Sequence, residues 1–418
     1  MKNLFETLKE RGYIYQLTHE EEIKTLLNSD KPFTFYLGID PTADSLHIGH
    51  FFALMVFRYL QDAGNKGILL IGGATGMVGD PSGKTDMRQM MTREQVAHNV
   101  AEVAEIAKKF IISEGDNAAI IVNNAEWMNG YDYIDFLRDV GIHFNVNTML
   151  QADAYAKRIE EGGLTFLEMG YMLMQAYDFV HLNRKYGCTL EIGGSDQWGN
   201  IVAGVNLGRK LDFLAGTERL AYYGMTNPLL MTSDGKKMGK TEKGALWVAK
   251  DRTSSYDFYQ YFYNVQDGDV ETLLKLFTKL PLEEIKNMIE EDIVAAKKRM
   301  AYEVTKLVHG EEEANSAVDA AKAMFSGGVS DDAPLAEIAY ADLEAPVEGS
   351  VKSVLVTDIL ALSKMAASKS EARRLITQGG VQVDGEKVQI VDQRLEVGVG
   401  SEFVLKVGKK KYLRIAIK

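Results

Sequence analysis

Cysteine is almost missing from this chain. Cys188 is the single one among 418 residues, so no internal disulfide can form and no Cys-rich zinc site is available. Long apolar runs are missing too. The longest stretch without Asp, Glu, Lys or Arg is residues 220–233, 14 residues that include Gly and Pro. It falls short of the roughly 20 residues that cross a bilayer. No apolar core of the secretory-signal kind stands near the N-terminus, where Glu6, Lys9, Glu10 and Arg11 intervene; the expectation is a cytoplasmic protein with no membrane partner. Internal repeats are also lacking. What is present is 46% hydrophobic, 25% charged and 9% aromatic, an ordinary globular composition that excludes wholesale disorder. The length leaves room for two to four domains.

Charge is unevenly divided. Residues 351–418 carry 13 Lys+Arg against 7 Asp+Glu, a net of +6, and the first 350 carry the other 34 against 52, a net of −18. A basic appendage on an acidic body fits a polyanionic partner, with a solvated surface as the bland explanation.

The pattern along the chain starts with an apolar, β-prone segment at residues 33–38, the turn-like Asp40-Pro41-Thr42, and a helical run over about 45–62. A second strand at 67–71 leads into Gly72-Gly73-Ala74-Thr75-Gly76. Further strands are expected at 118–122 and 189–192, with helices around 94–112 and 165–184 between them. This alternation predicts an α/β fold, a doubly wound parallel sheet of Rossmann-like type that holds ligands at the carboxyl ends of its strands. From about 256 to 325 helix formers with apolar residues at helical spacing predict an all-helical domain. Residues 326–350, with Gly327, Gly328, Asp331, Asp332, Pro334, Pro346 and Gly349, read as an acidic linker. Beyond it, a basic helix over 368–377 ends at Gly379-Gly380, and short β pieces at 381–383 and 403–405 with Asp384-Gly385 as a hairpin turn predict a small α+β domain.

Two constellations carry chemistry. In the first, Asp40 to His50, His47 and His50 lie three apart at a helix start, where they share a face and where the dipole favours anions. Gly49 between them removes a side chain and lets a flat base approach the backbone. A surface histidine pair and a metal pair are the competing explanations, the latter without a third ligand of metal spacing. The second is Asp234-Gly235-Lys236-Lys237-Met238-Gly239-Lys240-Thr241, three lysines within five residues of an acidic body. Like charges this close repel unless an anion joins them, although a solvated loop is the default for any Lys-rich stretch.

Together these residues resemble the class I aminoacyl-tRNA synthetases, with the first signature intact as His47-Ile48-Gly49-His50 and the second present as Lys237-Met238-Gly239-Lys240-Thr241. Tyr36, Asp40-Pro41-Thr42, Gly73 to Gly76, Gly79 to Lys84, Tyr171 to Asp178 and Gly193 to Asn200 extend the likeness over nearly the whole chain to the bacterial tyrosyl-tRNA synthetases. Two decoys fall away. Gly83-Lys84-Thr85 looks like the end of a P-loop, but the glycine required five positions before Gly83 is Val78, and no G-x-G-x-x-G occurs in residues 71–79.

The resemblance implies activation of L-tyrosine with ATP, followed by transfer of the tyrosyl group to the terminal ribose of tRNA(Tyr), with Mg2+ accompanying the ATP. It assigns the substrate phenol to Tyr36 and Asp178, the ammonium to Asp80, Tyr171 and Gln175, and a further amino-acid contact to Gln197. It puts Asp40, Gly49, Gly194 and Asp196 at the ATP, Asp196 on the ribose. Thr42, His47 and His50 would serve the triphosphate, and Lys237, Lys240 and Thr241 the departing pyrophosphate. No step demands a protein nucleophile, so catalysis is expected to be positioning plus charge stabilisation.

Spacing agrees with part of this. Tyr171, Gln175 and Asp178 are i, i+4 and i+7 and share one helix face. A site that selects a phenol must engage its hydroxyl with buried polar groups that phenylalanine would leave unpaired, and tyrosyl-tRNA synthetases are themselves the standing example of that asymmetry. Two positions depart from the family pattern: Leu37 stands where a cysteine is common, and Glu191 where a glutamine is expected.

The segment Ala367 to Gly385 is similar to the small ribosomal-protein-type RNA-binding domain, in which Lys369, Arg373 and Arg374 would contact phosphates without reading bases. The expected organisation is a catalytic nucleotide-binding domain over 1–225 with a dimer-forming insertion near 140–152, an uncharged stretch that buried core would explain equally well. The lysine loop and helical anticodon-side domain follow over 226–325, then the linker 326–350 and the RNA-binding domain 351–418. A homodimer is implied by the resemblance. A tryptophan-specific ligase is the neighbouring alternative, disfavoured by the Tyr36/Asp178 pair. An RNA-binding or regulatory protein with a decayed nucleotide site should have lost one of the two signatures, and both are present.

Overall fold

The structure, a computed structural model, describes residues 3–82, 91–217, 221–241, 244–325, 335–343, 346–348, 351–408 and 411–418. The P-loop-like residues Gly83, Lys84 and Thr85 and most of the first part of the expected linker, 326–334, lie outside the described residues. Two compact units emerge, Met1–Arg252 with Gln266–Ala296, and Thr253–Val265 with Lys297–Lys418. The stretch 226–325, expected as one block, is thus shared between them.

The first unit is built on a six-stranded sheet of order β1-β6-β5-β2-β3-β4, with β1 Gln16–Leu17, β2 Thr34–Ile39, β3 Lys66–Ile71, β4 Ile120–Asn123, β5 Cys188–Gly194 and β6 Tyr223–Asn227. All neighbours run parallel except β1, which pairs antiparallel with β6. The central strands are buried on both faces, as a parallel sheet covered by helices requires, and so read as continuous apolar runs such as Ile68-Leu69-Leu70-Ile71.

Helix α1, Ile48–Asp62, is buried nearly all round through Phe51, Phe52, Leu54, Met55, Val56, Phe57 and Leu60. It starts later than the expected 45–62 because His47 caps it. Gly67 on β3 admits the Phe57 ring, since a Cβ there would lie 2.2 Å from Phe57 Cζ. Helix α2, Arg93–Lys108, opens on a Thr92/Gln95 capping box and ends short of the expected 112. Helix α3, Phe166–Tyr186, is bounded by a Thr165/Glu168 capping box and by Gly187 at φ +65°. Helix α4, Trp198–Ala215, packs beside α3 against β5. Strands β1 and β6 were not among the expected elements. Arg11 closes this unit from the N-terminal side by donating to the carbonyls of Lys275 (3.0 Å), in the last turn of the helix Val270–Phe277, and of Thr278 (2.8 Å) and Leu280 (2.7 Å) just past it, where carbonyls lack helical partners.

The second unit joins helices Ser255–Tyr263 and Glu311–Phe325 to a C-terminal α+β part. Its five-stranded sheet holds Glu386–Lys387, Val381–Val383, Glu402–Val407, Lys411–Ile417 and Leu335–Ile338, in that order. The Asp384-Gly385 turn has both residues at positive φ, +48° and +84°, which matches the twist of the hairpin it closes. Strand Leu335–Ile338 belongs to residues expected as linker, yet it runs parallel to the last strand, with Ile415 opposite Ala336. The folded C-terminal part therefore begins before residue 351. Its helix Lys369–Thr377 buries Ala372 and Ile376 and leaves Lys369, Arg373 and Arg374 exposed.

Candidate active site

The sheet order reverses between β2 and β5, and in such sheets ligands sit at the carboxyl ends of the strands beside that switch point. A cavity of about 710 Å³ opens there. Tyr36, Asp40, Thr42, His47, Gly49, His50, Asp80, Tyr171, Gln175, Asp178, Gly194, Asp196, Gln197 and Lys237 all line it. The fold thus gathers residues spread over two hundred positions. Lys240 and Thr241 form a short ladder with Ala245 and Gly244, and their side chains lie outside what the structure describes.

The deep end is polar and closed. Tyr36, on β2, is 1% exposed and Asp178, on α3, 2% exposed. Asp178 Oδ1 accepts from Trp127 Nε1 at 2.8 Å and Oδ2 from Asn124 Nδ2 at 3.0 Å. Burial pushes the Asp178 carboxyl up to about 8 against the pull of those two hydrogen bonds, with the charges of Glu191 and Asp40 adding to the rise. Burial also raises the Tyr36 phenol well above its ordinary value, and the neighbouring Glu191 raises it further.

A hydrogen-bond chain links this end to the middle of the cavity. Asn124 Oδ1 accepts from the Ala74 amide (2.8 Å), Asn124 Nδ2 also donates to Thr75 Oγ1 (3.0 Å), and Thr75 donates to Asp40 Oδ1 (2.7 Å). Tyr171 Oη donates to the other Asp40 oxygen at 2.9 Å. Glycine is needed at position 72, where a Cβ would stand 2.1 Å from Asp40 Oδ1. On a second branch Asp80 accepts from the Ser82 amide (2.9 Å) and from Gln197 Nε2 (2.6 Å). On a third, Gln175 Nε2 donates to Glu191 Oε1 at 2.9 Å. Three buried atoms beside the cavity have no hydrogen-bond partner among the described residues: Tyr36 Oη, Gln175 Oε1 and Glu191 Oε2. Buried polar atoms are rarely left so in a folded chain, and an entering polar ligand would satisfy them.

The open end is built by the two signatures. His47 is the N-cap of α1, its Nδ1 accepting from the amides of Gly49 (3.1 Å) and His50 (3.3 Å), while His50 Nδ1 faces the His47 amide at 3.4 Å. The rings stack with centroids 3.8 Å apart. Since Nδ1 accepts, a neutral ring at either position carries its proton on Nε2. The lysine loop turns at Gly235, φ +78°. Gly239, φ +88°, packs so tightly on Ile48 that a Cβ would be 2.4 Å from Ile48 Cγ2. The Leu246 amide donates to the Gly239 carbonyl (2.7 Å), and the Ile48 amide donates to the Leu246 carbonyl (3.0 Å), so main-chain bonds tie the loop to the start of α1. Asp196 follows β5. Burial raises its carboxyl above the usual range and Lys237 acts in the opposite direction.

Sequence reasoning passed over Asn124 and Trp127, which hold Asp178, and took Thr75 only as part of a Gly-rich run. The available signal was position: Asn123-Asn124-Ala125-Glu126-Trp127 directly follows an expected strand, where ligands gather. Lys369, Arg373 and Arg374 lie on the C-terminal helix; Lys369 pairs with Asp358 (2.9 Å) and Arg374 approaches Glu371 (3.6 Å).

With this geometry in hand, comparison with known proteins is specific. Residues 28–326 match the family described as tRNA synthetases class I (W and Y), and residues 357–399 match the S4 domain. A tyrosine–tRNA ligase of Clostridium kluyveri is 52% identical over 425 aligned positions, covering 100% of each chain. One of Acetivibrio thermocellus is 50% identical over 423, again covering 100% of each. Among solved structures, a C-terminally truncated mitochondrial tyrosyl-tRNA synthetase of Aspergillus nidulans superposes with a TM-score of 0.69 at 32% identity, covering 78% of this chain and 95% of that one. A family match across most of the chain, full-length relatives at half identity and a switch-point cavity lined by both signatures lead to one conclusion: this chain belongs to the class I tRNA synthetase family and carries an S4 domain at its C-terminal end.

Proposed function

We propose that this chain is a tyrosine–tRNA ligase. It activates L-tyrosine with ATP to tyrosyl-adenylate and pyrophosphate, then esterifies the 3′-terminal ribose of tRNA(Tyr). The observation that carries the reading is the pairing of Tyr36 and Asp178 at the closed end of a cavity whose mouth is formed by His47, His50 and the lysine loop. A phenol hydroxyl entering there meets two buried polar groups, and an apolar ring leaves them unpaired. The ammonium is received by Asp80, Tyr171 and Gln175, with Gln197 beside them. Asp40, Gly49, Gly194 and Asp196 hold the nucleotide.

The substrate carboxylate oxygen attacks the α-phosphorus as the bond to pyrophosphate breaks, and the tRNA hydroxyl then attacks the adenylate carbonyl and releases AMP. His47 and His50 donate Nε2–H to phosphate oxygens, assisted by Thr42, and Lys237, Lys240 and Thr241 take the charge that develops on pyrophosphate. Mg2+ accompanying ATP would supply charge neutralisation on the phosphates; among the described residues no group of three or more His, Cys, Asp or Glu is arranged to hold a metal.

The S4 domain supplies phosphate contacts to the tRNA through Lys369, Arg373 and Arg374. A homodimer is supported by Ile142 (70% exposed) and Val146 (50% exposed), apolar side chains open to solvent within 140–152 while Val140 and Met149 are buried. No helix among the described residues is long and apolar enough to cross a membrane, and the reaction is assigned to the cytoplasm. The deciding experiment is exchange of labelled pyrophosphate into ATP with each of the twenty amino acids. Tyrosine alone should support strong exchange; strong exchange with tryptophan instead would overturn the substrate assignment.

A further inference from the structure

Glu191 is a carboxyl group 2% exposed at the heart of the cavity. Facing it are Tyr36 from β2, Gln175 and Asp178 from α3, Cys188 on its own strand and, from α4, the backbone of Gly204, where a Cβ would stand 3.4 Å from Oε2. Oε1 accepts from Gln175 Nε2. Glu191 pushes the Tyr36 phenol up and Tyr36 pulls the Glu191 carboxyl down, as a hydrogen bond between the two groups would, although Tyr36 Oη and Glu191 Oε2 fall outside strict hydrogen-bond geometry.

A carboxylate has no proton to give. In contact with one, a glutamine amide must present its nitrogen, which sends its oxygen the other way. That is the arrangement observed: Gln175 Nε2 on Glu191, and Gln175 Oε1 buried beside the cavity with no partner among the described residues. A glutamine at 191 would offer a donor as well as an acceptor, and either orientation of the Gln175 amide would then be matched.

We propose that Glu191 is a positioning residue that gives the amino-acid pocket its acceptor polarity: its carboxylate fixes the Gln175 amide so that Oε1 faces the substrate ammonium, and its negative charge favours that cation. This rests on the reading of the cavity as a tyrosine site. One consequence is proton linkage. Burial raises the Glu191 carboxyl to about 7, against the pull of Gln175 and Tyr36, so near neutral pH the empty pocket is partly protonated, and an arriving ammonium favours the carboxylate and expels its proton. Protonated, Glu191 can donate, and the constraint on Gln175 is lost. Asp178 is also raised by burial, and it accepts one N–H on each oxygen, so its share of any linkage is the part that survives replacement of Glu191.

The test is calorimetric titration of the full-length protein with L-tyrosine, without ATP, between pH 6.0 and 8.0 in two buffers of different ionisation enthalpy. Wild type should release up to one proton per tyrosine bound, and its affinity should fall toward tenfold per pH unit on the acid side of the midpoint. Glu191→Gln should bind more weakly than wild type at pH 8 and lose most of the release and the slope; Glu191→Asp, which keeps a carboxylate at the position, should retain part of both. Proton linkage surviving unchanged in Glu191→Gln, or lost to the same extent in Glu191→Asp, overturns the proposal. Should Glu191→Gln fail to fold, wild type and Glu191→Asp decide, and wild-type binding without proton release overturns it. Absence of tyrosine binding by wild type at pH 8 overturns the tyrosine reading as well.

Discussion

Tyr36 and Glu191 are register partners on β2 and β5, the two strands that meet where the sheet order reverses. Each is almost fully buried and each ends in an oxygen without a hydrogen-bond partner among the described residues. Parallel neighbours direct paired side chains to the same face, so this pairing sets two polar groups side by side on the floor of the cavity.

Tyr36→Phe and Asp178→Asn should each narrow the preference for tyrosine over phenylalanine by about 1–3 kcal/mol, the usual cost of one buried hydrogen bond. Asp178→Asn also gives up an acceptor for either Asn124 or Trp127, and its loss should be the larger. Ratios of kcat/KM for the two amino acids measure this, and unchanged ratios in both variants would refute the pocket assignment.

Replacing Lys237 by Ala should slow tyrosyl-adenylate formation by roughly a hundredfold to a thousandfold, the range for loss of one charge-stabilising donor. Tyrosine affinity should barely move, because the charge it meets develops as pyrophosphate leaves. Lys240→Ala is expected to behave alike. Pre-steady-state kinetics of the activation step separate the rate constant from the binding constant.

Gly239→Ala tests the junction between the signatures. The substitution asks for a positive φ and for space occupied by Ile48 Cγ2, together costing about 2–6 kcal/mol. Exchange activity should fall sharply, and Ile48→Ala, which removes the clashing Cγ2, on top of Gly239→Ala should restore part of it. An alanine variant of full activity would show that this contact does not hold the loop.

The empty pocket should make the fold less stable as pH rises. Glu191 and Asp178 are raised by burial to about 7 and about 8, from ordinary values of 4.5 and 3.8. Their native forms hold protons that the unfolded chain has given up. Stability from these groups is complete below about pH 4 and is lost as pH climbs through 7 to 8. Without substrate, Glu191→Gln should flatten that decline by an amount on the order of 1–3 kcal/mol, read from denaturant midpoints between pH 5 and 8. A decline as steep as that of wild type would argue against the raised carboxyl.

Deleting the C-terminal part should spare activation and cripple tRNA charging, and charging by the full chain should weaken steeply with salt as phosphate contacts release counterions. The cut belongs before residue 335, since Leu335–Ile338 is a strand of the C-terminal sheet. Exchange and charging assayed on one truncated preparation across a salt series give the comparison, and charging at the full-length level would leave the +6 charge of 351–418 without its proposed role.

The sequence by itself determined a good deal. Alternating apolar strands and helices implied a parallel sheet, Asp384-Gly385 implied the C-terminal hairpin, and His47-Ile48-Gly49-His50 with the lysine cluster marked a polyanion site, because backbone geometry and local charge are written into short stretches of chain. Strand β6 stayed hidden since its five residues carry neither alternation nor flanking turn signals strong enough to stand out. The strand at 335–338 stayed hidden because its partner lies some eighty residues away. Only the tertiary structure decided that Asn124 and Trp127 hold Asp178, that Gly239 seats on Ile48, and that Glu191 lies opposite Tyr36. Those relations depend on strand order and register, which bring distant residues within hydrogen-bond reach, and no local pattern encodes a distance between segments that meet only when the sheet is assembled.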